Sequence, residues 1–415
     1  MKTDICVIGA GPAGMMAAIG AASGRFSVTV LEANRTAGRK LLVTGGGRCN
    51  LTHDATIDEF VRAFGDAGRF LRHSLHEMPP EAIRTFFHDR GLPTTIEPDG
   101  CVFPAEGRAV DVLQILLNEV ERSGVRLLCE SPVTGVTVQD DGFAVATPAQ
   151  TVAARRLIVA TGGLSWPQTG STGDGYRLAS ALGHAVIAPK AALVPLVTHE
   201  EWPGDLAGVA LSDVRIRLAG VSRKTVPSGA IVFTQDGIGG PAAQDTSRLL
   251  ADELAEGGHM IALQIDLMPL VQETELDKQL QKQMAASARK TVSNVLADLV
   301  PRRLASTLCK LAGCDGHTPA GRIRKETRKA LLRLLKALPL HVTGTRPIAE
   351  ATVTRGGVDR RQIEPKTMGS KVHAGLFFAG EVIDADGPCG GYNLQMCLAT
   401  GTLAGRSAAR QLAGR

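Results

Sequence analysis

Ile5-Cys6-Val7-Ile8-Gly9-Ala10-Gly11-Pro12-Ala13-Gly14 decides the fold of this chain. The apolar run reads as a strand emptying into a glycine turn, and the small residues from Met15 to Ser23 read as the helix behind it. That order suits a dinucleotide. Gly9 permits the turn, Gly11 lets backbone approach a pyrophosphate, and Gly14 lets helix pack on strand, with Pro12 and Ala13 inside the same fingerprint. A second strand, Ser27 to Leu31, delivers Glu32 and then Ala33. A carboxylate 18 residues beyond Gly14 can accept both hydroxyls of an adenosine ribose and would repel a 2′-phosphate. The first nucleotide is therefore FAD or NAD, not NADP.

The next glycine-rich stretch points to FAD. It runs Gly38-Arg39-Lys40-Leu41-Leu42-Val43-Thr44-Gly45-Gly46-Gly47-Arg48-Cys49-Asn50-Leu51-Thr52. Gly45, Gly46 and Gly47 suit neither helix nor strand interior, but they can lay bare N–H groups against a planar ring. Arg48 would add a fixed positive charge there, and Arg48 with Asn50 are the candidates for polarising the substrate or the ring. Cys49 reads as a packed small residue, with a redox thiol as the alternative.

Helical periodicity is visible in Ile57–Phe64, Glu81–Arg90 and Val110–Arg122, and strands are expected between Val125 and Ile158. Leu157-Ile158-Val159-Ala160 then stops at Thr161-Gly162-Gly163, which would return the chain beside the first strand. The polar glycine loop Trp166 to Gly175 follows, and such loops on a rigid scaffold usually touch ligand. From Leu193 the texture changes to short strands (Val214–Leu218, Ala230–Phe233, Ile261–Ile265), then to helices from Glu273 to Leu338. The closing strand Gly375 to Glu381 ends in glycine and acid, and Gly390-Gly391-Tyr392-Asn393-Leu394-Gln395 opens the last helix. Glu381 could hold a ribityl hydroxyl while that helix aims its dipole at the flavin pyrimidine. The expected fold is α/β. A Rossmann-like FAD/NAD(P)-binding domain spans 1–192 and 342–415, interrupted by a β-barrel-like domain at 193–268 and a basic helical subdomain at 269–341.

Composition excludes several classes. Of 415 residues, 44% are apolar and 21% charged, which suits a globular enzyme rather than a disordered or fibrous chain. No apolar run approaches the roughly 20 residues of a membrane helix. Asp4 and the nucleotide fingerprint argue against reading the start as a signal peptide, so the chain reads as cytoplasmic. Cys6, Cys49, Cys101, Cys129, Cys309, Cys314, Cys389 and Cys397 include no C-x-x-C pair, and reduced thiols are expected. Cys309, Cys314 and His317 lack a fourth ligand, so no metal site is assigned. The net charge of +5 is uneven. Ten Lys and Arg against Asp315 and Glu326 give Pro301–Lys336 a balance of +8, leaving −3 elsewhere.

These residues resemble the BaiN/RdsA-like flavoproteins, NAD(P)/FAD-dependent or aminoacetone-oxidase-like oxidoreductases, over essentially the whole chain. The most specific pieces are Gly38 to Thr52, Gly170 to Gly175, Val353-Thr354-Arg355-Gly356-Gly357-Val358, and Ala379-Gly380-Glu381-Val382-Ile383-Asp384 through Gly390 to Leu394. The resemblance implies an FAD domain built from both chain ends and an insert that roofs the flavin. The implied cofactor set is Gly9, Gly11, Pro12, Ala13, Gly14, Glu32, Ala33, Gly38, Arg39, Lys40, Thr44 to Asn50, Val133, Ala160, Thr161, Gly162, Gly163, Gly380, Glu381, Asp384, Gly391, Tyr392, Asn393 and Leu394. Two departures stand out. Phe233-Thr234-Gln235 and Gly239-Gly240-Pro241 replace the family's Phe-Thr-His and Ser-Gly-Pro, and His53 stands where Asn is usual, reading as a surface-loop histidine or a substitute acid.

The function expected is NAD(P)H-driven reduction of a polarised C=C bond in a small molecule or a nucleobase, with NAD(P)H binding transiently because only one fingerprint is visible. A ribosomal RNA dihydrouridine synthase is the runner-up, binding RNA through Arg322, Arg324, Lys325, Arg328, Lys329 and Arg333, although a solvated basic face is the commoner meaning of such a pattern. An oxygen-dependent amine-type oxidase and a non-catalytic flavin-binding regulator are the further alternatives.

Overall fold

The computed structural model describes residues 1–22, 25–218, 226–257 and 260–414. They form two units: Met1–Ala191 with Ile348–Arg415, and Ala192–Pro347.

In the first unit a sheet runs in the order Ile363–Glu364, Gly369–Ser370, Leu376–Phe378, Thr151–Val159, Lys2–Ile8, Val28–Leu31, Arg126–Leu128. The four strands from Leu376–Phe378 to Val28–Leu31 pair in parallel, and their carboxyl ends are level: Ile8 opposes both Leu31 and Val159, and Phe378 opposes Val159. Ligands of open parallel sheets bind at that edge. Val7, Val30, Ile158 and Phe378 are fully buried, as strands covered on both faces require. The hairpin Gly135–Gln139 and Gly142–Ala146 adds antiparallel strands beside Thr151–Val159.

The fingerprint helix spans Pro12–Ala21, and Ser23, the expected last residue, lies outside the described residues. The other expected helices are Ile57–Ala63, Pro80–His88 and Ala109–Arg122. The closing helix, Tyr392–Leu412, packs against Pro12–Ala21 through glycines. A Cβ on Gly401 would stand 2.3 Å from the Ala13 carbonyl oxygen, and one on Gly405 would stand 2.0 Å from that of Ala17.

The second unit contains a closed barrel, in the order Leu196–Thr198, Gly237–Gly239, Ser228–Thr234, Ala210–Leu218, Ile261–Asp266, Leu338–Thr345. Its last strand corrects the sequence reading. Leu338 is not the end of a helix and 342 is not where the first unit resumes: helices Glu273–Ala286, Val292–Leu296, Arg302–Leu311 and Lys325–Lys336 are followed by a strand that closes the barrel. Leu338, Leu340 and Val342 point inward and are fully buried, while Pro339 is exposed. That alternation has the period of a strand. The helices are tied to the barrel where they leave it, since Lys336 meets buried Asp266 at 2.8 Å and donates to the Met268 and Val271 carbonyls.

Candidate functional site

The fingerprint shows three glycines with three different reasons to be glycine. Gly9 has φ +98°, and a Cβ there would lie 2.6 Å from the Ala160 carbonyl oxygen. A Cβ on Gly14 would meet the Gly9 carbonyl oxygen at 1.9 Å. Gly11, capping the helix Pro12–Ala21, has an ordinary φ of −77° and open space where a Cβ would stand. Backbone and packing leave Gly11 free to be larger, so what requires glycine there is something that approaches from outside the chain. The residues present fit a dinucleotide pyrophosphate.

Glu32, at the end of Val28–Leu31, is buried and fixed by its neighbours. Its Oε2 accepts from the Ala10 N–H at 2.8 Å, and its Oε1 accepts from the backbone and side chain of Asn34 at 2.8 and 2.7 Å. Asn34 also holds the polar glycine loop: its amide donates to the Thr169 carbonyl, and a Cβ on Gly170 would collide with it at 2.2 Å. Arg39 donates to the Asn34 amide oxygen at 2.9 Å. Ala33 is exposed beside this cluster.

Lys40 and Glu381 form the second polar centre. Lys40 Nζ lies 2.6 Å from Glu381 Oε2 and 2.6 Å from Ser165 Oγ. Glu381 Oε1 accepts from Ser165 Oγ and the Thr354 N–H. Burial pushes the Glu381 carboxyl up, but the Lys40 charge and these hydrogen bonds outweigh it and hold the group below the usual carboxylate range. Gly163 makes this packing possible, because a Cβ would stand 2.4 Å from Thr354 Oγ1. Gly380, at φ +75°, does the same against Ala13. Ser165 and Asn34 were not expected, and Thr354 was singled out only as part of the motif Val353 to Val358. Ser165 follows the Thr-Gly-Gly strand end by two residues and Asn34 follows Glu32 by two, so proximity to a motif was the available signal.

Leu41–Gly47 forms a tight helical turn broken at Thr44, Gly45 and Gly46, both glycines left-handed, and Gly47 and Cys49 follow with φ of +86° and +65°. Gly45 packs on Phe103, while Gly46 has open space at its Cβ position. Gly38, at φ +68°, packs on Leu113. Cys49 is buried and its thiol is pushed up to about 12 by burial, a packed residue rather than a nucleophile.

Arg48 is not an uncompensated cation. Its guanidinium lies over the Phe103 ring at 3.9 Å and pairs with Glu97 at 2.8 Å. Asn50 is occupied with backbone: with its amide assigned to satisfy both ends, the oxygen accepts from the Gly391 N–H at 3.2 Å and the nitrogen donates to the Thr52 and Val102 carbonyls at 2.9 and 3.3 Å. His53, expected in a surface loop, is half-buried in the strand Thr52–His53, stacks on Tyr392 and bonds the Gly390 carbonyl.

The remaining expected residues line the same sheet edge or support it. Ala160 bonds the Ile8 carbonyl, and Thr161 Oγ1 is buried without a partner among the described residues. Gly162, at φ +76°, faces Ser171. Val133 is buried. Asp384 pairs with Arg360 at 2.7 Å, and burial holds its carboxyl above the usual range. Asn393 brackets the Gly387 N–H and carbonyl, and Leu394 packs into the core beside it. Among the described residues no group of three His, Cys, Asp or Glu could hold a metal ion, and no helix is long and apolar enough to cross a membrane.

In the second unit, the helix Lys325–Lys336 divides its charges. Arg328 is paired with Asp277 and Lys336 with Asp266, so the expected phosphate contact of Arg328 is committed internally. The buried stripe is Leu331, Leu332 and Leu335. Arg322, Arg324, Lys325, Lys329 and Arg333 are exposed.

Comparison with known proteins matches residues 3–407 to the model of the HI0933-like protein Rossmann domain. The chain is 32% identical over 409 residues to the 3-dehydro-bile acid delta(4,6)-reductase of Clostridium scindens, covering 98% of this chain and 99% of that protein. It is 30% identical over 404 residues to the ribosomal RNA dihydrouridine synthase of Escherichia coli, covering 95% of each. Among solved structures, a flavocytochrome c3 fumarate reductase in an open conformation superposes with a TM-score of 0.52 at 16% identity, over 99% of this chain and 78% of that one. The 3-ketosteroid delta1-dehydrogenase of Sterolibacterium denitrificans does so with 0.52 at 14%, over 99% and 100%. At such identities the likeness shows fold alone. Glycine fingerprint, parallel sheet, barrel insert and a family match over nearly every residue agree, and the chain belongs to the HI0933-like family, with a Rossmann-type FAD-binding fold.

Proposed function

We propose that the protein is an FAD-dependent reductase that takes electrons from NAD(P)H and reduces a polarised C=C bond in a small molecule or a nucleobase. The observation that carries this reading is the fixed Glu32 carboxylate beside open Gly11, at the level carboxyl edge of a parallel sheet. Gly11 and the first turn of Pro12–Ala21 would hold the pyrophosphate, Glu32 the adenosine ribose, and Gly45 to Gly47 with Gly391 the ring. Bound there, FAD supplies hydride transfer between a nicotinamide and the acceptor. The similarity to a bile-acid reductase supports a C=C acceptor. Arg48, already paired, would act through the Glu97 contact rather than as a bare charge, and Asn50 would position backbone.

The test is the cofactor released by heating the purified protein. The reading expects about one FAD per chain, since a single glycine fingerprint cradles a single pyrophosphate. Protein that stays colourless after incubation with FAD would overturn it.

A second reading, ribosomal RNA as acceptor, is favoured by exposed Arg322, Arg324, Lys325, Lys329 and Arg333 and by the similarity to a ribosomal RNA dihydrouridine synthase. Phosphate binding by that face would depend on salt.

A further inference from the structure

The turn before the closing helix is made of two adjacent left-handed glycines, Gly390 at φ +105° and Gly391 at φ +92°. Such a turn has no side chains to brace it and the greatest freedom to lose on folding. Asn393 holds the chain just before it, at the Gly387 and Pro388 carbonyls, and the glycines themselves have to be held from outside. The residues Asn50 to His53 do this from the opposite end of the sequence.

They are themselves rigid. Thr52 and His53 pair with Val102 and Cys101, the Leu51 N–H donates to the Val102 carbonyl, and the Asp54 N–H donates to the Gly100 carbonyl. Gly100 makes room for the histidine, since a Cβ there would lie 2.5 Å from His53 Nε2. On its other side the ring stacks on Tyr392, with centroids 4.9 Å apart and planes 25° apart. Held in this slot, Nδ1 lies 3.0 Å from the Gly390 carbonyl oxygen. A carbonyl only accepts, so Nδ1 carries the hydrogen. Asn50 takes the next peptide through the Gly391 N–H, and Thr52 Oγ1 bonds buried Gln395 one turn further along. Gly391 cannot be enlarged, because a Cβ would lie 2.3 Å from the Thr52 carbonyl oxygen.

We propose that His53 is a positioning residue for the flavin: its Nδ1–H fixes the Gly390 carbonyl and so places the first turn of the closing helix, whose N–H groups and dipole favour negative charge on the reduced ring. The inference rests on the flavin reading above. It concerns a residue whose ring is committed to Gly390 and Tyr392.

Two variants separate its parts. His53→Phe keeps a ring on Tyr392 but has no donor; His53→Asn supplies a donor without the ring. FAD dissociation constants of apoprotein, read by quenching of flavin fluorescence, and the reduction potential of holoenzyme, read against a dye, are measured with the thermal midpoint of each variant. His53→Phe is expected to fold with a modestly lowered midpoint, because the lost hydrogen bond is internal to the chain, to bind FAD several-fold more weakly because ordering the turn is then left to the cofactor, and to show a more negative potential. His53→Asn is expected to restore both. Wild-type affinity and potential in His53→Phe would overturn the proposal, as would loss of both in His53→Asn at an unchanged thermal midpoint. Wild-type protein that takes up no FAD would instead overturn the flavin reading itself.

Discussion

Lys40 and Glu381, 341 positions apart in sequence, meet in an ion pair of 2.6 Å that also engages Ser165. It joins the segment after the fingerprint to the end of the last parallel strand. Both side chains are mostly shielded, at 22% and 12% exposure, so the pair is hard to break on one side only. Lys40→Met should destabilise the fold by about 3 kcal/mol, the low end for an orphaned buried charge because some water reaches it. Urea unfolding measures it. The sign with pH follows from the lowered Glu381 carboxyl: its contribution is full above the unfolded value of 4.5 and is lost as pH falls through the lower folded value. The destabilisation of Lys40→Met should therefore be greatest at neutral pH and shrink as pH falls below 4.5, where wild-type Glu381 loses its charge as well.

The three fingerprint glycines should fail differently. Gly11→Val fits the backbone and the open space, so the apoprotein should keep its unfolding midpoint while FAD is lost. Gly14→Ala drives a Cβ into the Gly9 carbonyl and should lower the midpoint itself. Glu32→Ala should also give colourless protein. Normal flavin content in Gly11→Val and Glu32→Ala would remove the proposed site.

His184 gives an acid sensitivity unrelated to the cofactor. It is 4% exposed, its Nε2 lies 2.8 Å from Ser370 Oγ, and its Nδ1 is buried without a partner among the described residues. Burial, with a smaller contribution from His373, holds its imidazole below the ordinary 6.5. The folded state thus prefers neutral histidine. Stability is full above pH 6.5 and declines as pH falls below it, because the unfolded chain protonates first. His184→Phe should flatten that decline, read as the difference in urea midpoint between about pH 7.5 and about pH 5.5.

The basic helix should separate into two classes of charge. Reversing Arg324, Lys329 and Arg333 to Glu should leave FAD content and folding intact. If RNA is the acceptor, it should also reduce the salt slope of RNA binding by about 0.7 to 0.9 for each phosphate no longer neutralised. Arg328→Ala should instead lower the thermal midpoint, because it leaves Asp277 unpaired. RNA binding unchanged by the three reversals would exclude this face.

What could be read from the sequence is local. The fingerprint, Glu32, Gly380 and the helices Ile57–Ala63 and Ala109–Arg122 each carry their signal within a few residues. The start of the barrel strand Leu338–Thr345 was absorbed into the preceding helical pattern because Leu331, Leu334, Leu335 and Leu338 keep a helical spacing up to the first residue of the strand. Pairing with Ile261–Asp266 on one side and Leu196–Thr198 on the other decides between helix and strand there. The partners of charged residues were equally invisible. Arg48 looked free because Glu97 is 49 positions away, and Arg328 because Asp277 is 51 away. His53 looked like a loop residue because its strand is two residues long and its other contacts come from residues 390 and 392.

The central claim is a nicotinamide-driven flavin reductase, and the visible spectrum of the FAD-loaded protein under anaerobic conditions tests it most directly. Adding NADPH, or NADH in a separate cuvette, is predicted to bleach the flavin band with one of the two. A yellow protein whose band neither nucleotide bleaches would contradict the account and favour a flavin reduced by its own substrate.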